Sequence, residues 1–179
     1  MEIFFLNPKQ LIAMRDYPPL HSPKAFVAYQ KKFLAGEKVE PVVVIPSGLV
    51  IEHLKKNTDR FNTYRQELER FLDQHPLAAY FMLGGKHRSA AATILGLKIP
   101  CLVVHNDSDV NKIHALMADG KLKGVPSVGK DFEVTLSELE QHYFENKVFW
   151  SMDEKTKAMV DGGDISKIKT RRHKNENLY

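Results

Sequence analysis

Three short apolar runs, separated by segments of helical character, constrain this chain most. Pro41-Val-Val-Val-Ile45 is continuous and rich in β-branched residues, and Pro46-Ser-Gly48 stops it; such a run reads as a buried strand. Ala78-Ala-Tyr-Phe-Met-Leu83 predicts a second strand and Ile99 to His105 a third, with a short one over residues 2–6. Helices fill the gaps. Phe26, Val27, Gln30 and Phe33-Leu34 recur at helical spacing over 24–35, with Ser22 as N-cap, Pro23 at the first position and Gly36 as the stop. Residues 49–75 are helical with a break near Asn57-Thr58, where Thr58 is a cap for the stripe Phe61, Tyr64, Leu68 and Phe71-Leu72. Pro76 ends that segment. Asp107 or Ser108 is expected to cap a helix over about 109–118, and two capping boxes, Thr135-x-x-Glu138 and Ser151-x-x-Glu154, predict helices near 136–146 and 152–160. This order of elements specifies an α/β (α+β) domain.

A chain of 179 residues suits one domain with an appendage: a core domain over 1–120 carrying a helical insert at 49–75, then a helical extension over 121–165. The net charge of +4 belongs to the terminus. Lys167, Lys169, Arg171, Arg172 and Lys174 stand against Glu176 in the tail 166–179, which is expected to be disordered, and residues 1–165 balance. The folded body therefore lacks the concentrated basic charge of a usual nucleic-acid face. A single cysteine, Cys101, rules out an intramolecular disulfide framework and any multi-cysteine metal site, and its place in an apolar run marks it as a core thiol. No run approaches the roughly 18 apolar residues of a membrane span, and Met1-Glu-Ile-Phe-Phe-Leu6 lacks the basic flank of a signal peptide. The expected location is cytoplasmic.

Most of the functional information lies between Tyr80 and Val104. An apolar strand meets Gly84-Gly85, and Lys86, His87, Arg88 and Ser89 follow where a helix begins. Helix N-termini present main-chain N–H groups and the positive end of the dipole, so they bind anions. Glycines there permit positive φ and close approach of a ligand. Arg88 is able to grip two phosphate oxygens at once. Ala90, Ala91 and Ala92 let the helix lie close to the sheet, and Gly96 closes it. From spacing alone, a phosphate site and a solvated glycine turn account for these residues equally well. The spacing matches neither G-x-x-x-x-G-K-[ST] nor G-x-G-x-x-G.

Gly84-Gly-Lys-His-Arg-Ser-Ala-Ala, followed by Gly96-Leu-Lys-Ile-Pro-Cys-Leu-Val-Val, resembles the signature of the ParB/sulfiredoxin superfamily, which includes ParB-like nuclease domains. The similarity extends over roughly residues 2–118, through the helix at 24–35, Gly36-Glu37, Pro41-Val-Val-Val and the Asp107-Ser-Asp109 helix start. It implies an α/β domain that binds a nucleotide phosphate, ATP or another nucleoside triphosphate, with Gly85, His87 and Arg88 at the family's phosphate-binding positions. Lys86 occupies the place of the sulfiredoxin catalytic cysteine, which argues against peroxiredoxin repair. Gly84 stands where many relatives, including free-serine kinases, carry Asp, which disfavours a small-molecule kinase. The insert at 49–75 departs from the short connection usual in the family.

The candidate catalytic residues are thus Arg88, His87 and Glu37, and the candidate nucleotide-binding set is Gly84, Gly85, Lys86, His87, Arg88 and Ser89. Expected chemistry is hydrolysis of a nucleoside triphosphate or a phosphodiester, with Mg²⁺ as the companion cation. Glu37 is the closer carboxylate candidate for metal or base work, and Glu40 reads as a solvated loop acid. Asp107 and Asp109 read as helix caps. His21, His53, His75, His105, His114 and His142 share no metal-ligand spacing, and Trp150 with Phe149 and Phe144 reads as packing for a C-terminal helix. The rival from another class is a non-enzymatic DNA-binding or partition-type module that uses the basic tail.

Overall fold

A computed structural model of the chain describes residues 1–14, 22–56, 62–123, 126–146 and 149–163. Its strands are β1 (Phe4–Leu6), β2 (Leu11–Met14), β3 (Val42–Pro46), β4 (Tyr80–Met82), β5 (Ile99–Val103) and β6 (Phe149–Ser151). Its helices are α1 (Pro23–Leu34), α2 (Ser47–Lys56), α3 (Asn62–Gln74), α4 (Lys86–Ile94), α5 (Asp107–Ala118), α6 (Phe132–Asn146) and α7 (Met152–Asp161). The strands form one mixed sheet in the order β1-β5-β3-β4-β2-β6. β3 lies at its centre, parallel to β5 and antiparallel to β4. The architecture is α/β.

The continuous apolar character of β3 follows from its place. Val42 and Val44 pack on one face with Phe26 of α1, Ala90, Ala91 and Ala92 of α4, and Met152 and Met159 of α7. Val43 and Ile45 pack on the other with α2, α3, α5 and α6, through Leu54, Leu68, Ile113 and Leu136 among others. Both faces of the sheet are covered, so neither side of the strand tolerates a polar residue. The three alanines of α4 are fully buried, which lets its axis approach the sheet closely. Cys101 is buried in the same layer; burial pushes its thiol up to about 12, an effect the nearby Arg88 charge only partly offsets.

The N-cap at Ser22, the Pro23 start, the positive φ of Gly36 and the capping box of Ser151 with Glu154 match the sequence reading. Two other caps fall elsewhere. Asn106, not Asp107 or Ser108, caps α5: its side chain accepts the Asp109 N–H at 3.1 Å, and Asp109 Oδ2 accepts the His105 N–H at 3.0 Å. Asp107 instead accepts the N–H of Phe132 at 2.8 Å and so helps cap α6. That helix starts earlier than its Thr135 box suggests. Asp131 Oδ1 takes the Val134 N–H, and Thr135 sits buried inside the first turn, its hydroxyl donating to the Asp131 carbonyl. Strands β2 and β6 have no counterpart in the sequence reading. β6 carries Trp150 and pairs with β2, so residues beyond 120 contribute a strand to the common sheet. The basic tail, Thr58 and His21 lie outside the described residues, as do the side chains of Phe144 and His142. Among the described residues, no helix is long and apolar enough to cross a membrane.

Candidate functional site

The turn from β4 into α4 is built by two glycines in conformations other residues avoid. Gly84 has φ 150° and Gly85 has φ 79°, the latter serving as the N-cap of α4 in the left-handed region. Space excludes a side chain at Gly85 as well. A Cβ there would meet Val42 Cγ2 at 2.9 Å and Arg88 Nε at 3.1 Å. With no capping side chain, the first turn of α4 opens toward the turn with the positive end of its dipole.

Arg88 is 4 % exposed and lies beneath this turn. It donates from one terminal nitrogen to the Pro41 carbonyl at 3.0 Å and from the other to the Lys123 carbonyl at 3.3 Å. Its Nε is buried without a hydrogen-bond partner. Among the described residues no carboxylate lies within ion-pair distance of the guanidinium. Buried charges are ordinarily paired, because taking an ion out of water costs several kcal/mol. Arg88 is thus a buried cation held by two neutral carbonyls, at a helix end whose dipole is itself positive. Ser89, the next residue, is fully buried and its Oγ also lacks a partner.

His87 is half-buried at the second position of α4, and its Nε2 accepts the main-chain N–H of Ser22 at 3.1 Å. Accepting requires a lone pair on Nε2, so the ring carries its proton on Nδ1 in this arrangement. Lys86 is half-buried at the first position of the helix. Gly84, Gly85, Lys86, His87, Arg88 and Ser89 are therefore gathered at one helix end.

Glu37 is not brought to them. It is exposed beyond the C-terminal end of α1, whereas His87 meets that helix at its N-cap, and a 12-residue helix is about 18 Å long. Glu40 is the carboxylate residue next in sequence to the Arg88 partner Pro41. Its Oε2 is buried with no partner. The Ser22 N–H and the Pro41 and Lys123 carbonyls that position His87 and Arg88 carry no sequence signal, since every residue offers the carbonyl and all but proline the N–H.

No group of three or more His, Cys, Asp or Glu among the described residues forms a metal cage. Comparison with protein-family models, curated proteins and solved structures returns no match for this chain.

Proposed function

We propose that the first turn of α4 binds the phosphates of a nucleotide, in a domain of the ParB/sulfiredoxin-like kind. The observation that carries this reading is Arg88, a buried guanidinium with neutral partners and an unpartnered Nε at a positive helix end. An anion at the turn would complete its electrostatics. Lys86 at the mouth adds a second cation, and the glycines allow the ligand to approach the main chain. We assign the carboxylate of the site to Glu40, which precedes the Arg88 partner Pro41, in place of the exposed Glu37. A carboxylate beside bound phosphate is repulsive unless a divalent cation lies between them, and Mg²⁺ needs only one or two protein carboxylates plus phosphate oxygens. Chemistry at such a site is phosphate-centred, hydrolysis of a triphosphate or a phosphodiester, with positioning and electrostatics supplying most of the effect.

The test is a thermal-shift titration with ATP, CTP, GTP and ADP, with and without Mg²⁺. A ligand that binds only the folded state adds about 2.7 kcal/mol at 100 times its dissociation constant, a large shift in a melt. Lys86→Gln is the variant of choice, because Arg88 also holds the fold together. A nucleotide shift weakened in Lys86→Gln supports the reading. No shift with any nucleotide defeats it and leaves the DNA-binding module, examined next across a salt series.

A further inference from the structure

The helical insert is tied to the C-terminal extension by two histidine–carboxylate pairs, one on each of its helices. On α2, His53 is 3 % exposed, and its Nε2 lies 2.7 Å from Glu140 Oε2 on α6. Its Nδ1 lies 3.1 Å from Glu133 Oε1, an ion-pair distance without hydrogen-bond alignment. Glu133 and Glu140 are seven residues apart, two turns along one face of α6. At the end of α3, His75 Nδ1 meets the Phe71 carbonyl at 2.8 Å, and Nε2 meets Glu154 Oε1 on α7 at 2.6 Å. The His75 ring stacks on Phe71 at 4.0 Å. Between the two pairs, Phe149 of β6 packs its ring against Tyr64 and Phe71 of α3.

Carbonyl and carboxylate oxygens only accept, so both nitrogens of His75 must donate and the ring is an imidazolium. His53 is turned by both nitrogens toward carboxylates, and of the two only Glu140 is in hydrogen-bond alignment. Loss of either His75 proton would aim a nitrogen lone pair at an oxygen. We infer that the His75–Glu154 pair is a proton-controlled latch, which holds the end of α3 against α7 while the His75 ring is charged and loosens it when the ring becomes neutral, the His53–Glu140 contact tying α2 to α6 beside it.

The titratable groups around the latch agree with this direction. Glu133 and Glu140 of α6 face His53. Tyr64 of α3, held far above the usual phenol range by burial and by the Glu140 charge, stays neutral throughout. Facing His75 is Glu154 of α7. Burial lowers the pKa of His75, but the Glu154 hydrogen bond, the Phe71 carbonyl and the Glu154 charge together raise it. The inference does not depend on the nucleotide reading.

Hydrogen–deuterium exchange of the full chain, corrected for intrinsic rates, tests it between pH 6 and 9. Protection of the α3 peptides is expected to fall about two- to fivefold as pH rises, while β3 and β5 keep theirs. In the His75→Gln variant, that selective change should vanish. Should that variant fail to fold, Glu154→Gln serves instead. Its site is part-exposed, its one amide oxygen is shared between the His75 N–H and the Ser151 N–H that Glu154 Oε2 accepts, and with the charge gone the release should move to lower pH. Protection of α3 that follows the sheet at every pH overturns the latch. So does a selective loss that survives unchanged in the variants.

Discussion

His87 completes the cap of a helix 65 residues away: its Nε2 accepts the N–H of Ser22 at 3.1 Å, while Ser22 Oγ caps the N–H of Ala25. In an ordinary capping box the third helical residue supplies the reciprocal acceptor. Here that residue is Ala25, which has none, and a side chain from α4 replaces it. The start of α1 and the first turn of α4 are thereby one unit, and any ligand at the turn acts on both.

His87→Ala should therefore loosen α1 rather than the sheet. The Ser22 N–H loses its acceptor at a half-buried position, at a cost of about 1 kcal/mol. Urea unfolding checks the magnitude, and exchange at the α1 amides checks the location. An unchanged midpoint would mean that solvent satisfies Ser22 equally well.

Arg88→Ala carries a larger penalty. It strands the Pro41 and Lys123 carbonyls and empties a buried volume, for a loss of about 2–4 kcal/mol. Arg88→Lys should recover only part of this, since one ammonium on a flexible stem does not reproduce the planar fork that reaches both carbonyls. Chemical denaturation of both variants measures the difference.

What the sequence disclosed and what it hid divide along a physical line. Val42 to Ile45, Phe26 and the α4 alanines announce themselves because burial of long apolar runs dominates the energetics and leaves a periodic trace. The six residues Gly84 to Ser89 were legible as a glycine turn opening a helix, because the glycines and the alanines after them mark it locally. Strands β2 and β6 were not legible: they are four and three residues long, and their pairing partners are remote in sequence. The Asn106 cap and the Asp131 start of α6 were one and four residues from their expected places because several Asx, Ser and Thr residues compete at each end. Glu40 looked solvated in sequence; only the fold shows that the next residue, Pro41, sets its own carbonyl onto Arg88.

Gly85 and Gly48 should respond oppositely to alanine. At Gly85 the left-handed φ and the 2.9 Å approach to Val42 make Gly85→Ala destabilising by about 1–3 kcal/mol. At Gly48, in the first turn of α2, an added Cβ meets nothing within 4 Å and φ is not positive, so Gly48→Ala should stabilise by about 0.4–1 kcal/mol. Paired thermal melts decide both.

Cys101 should label slowly. Its thiol is fully buried, donates to the Ile99 carbonyl at 3.4 Å and has its pKa raised to about 12 by burial, so the reactive thiolate is scarce at neutral pH. Alkylation should proceed only as the β5 layer opens and should accelerate in step with denaturant. Rapid labelling of the native chain would contradict the core position of β5.

The contribution of His75 to stability should have a definite sign with pH. The imidazolium sits at the C-terminal end of α3, where it meets the negative end of the helix dipole, the Phe71 carbonyl and Glu154. Its folded pKa is raised above the ordinary value of 6.5, so the folded state holds the proton more tightly than the unfolded chain does. The stabilisation is then fully present below pH 6.5 and fades as pH rises through the folded pKa. Since Glu154 is 40 % exposed and screened by solvent, the full effect should be about 0.5–1 kcal/mol. Measuring the unfolding free energy of wild type and His75→Gln from pH 5.5 to 9 gives the difference directly. It should be largest at the acid end and shrink toward the alkaline end, and a difference that grows with pH would show that the ring is neutral in the folded protein.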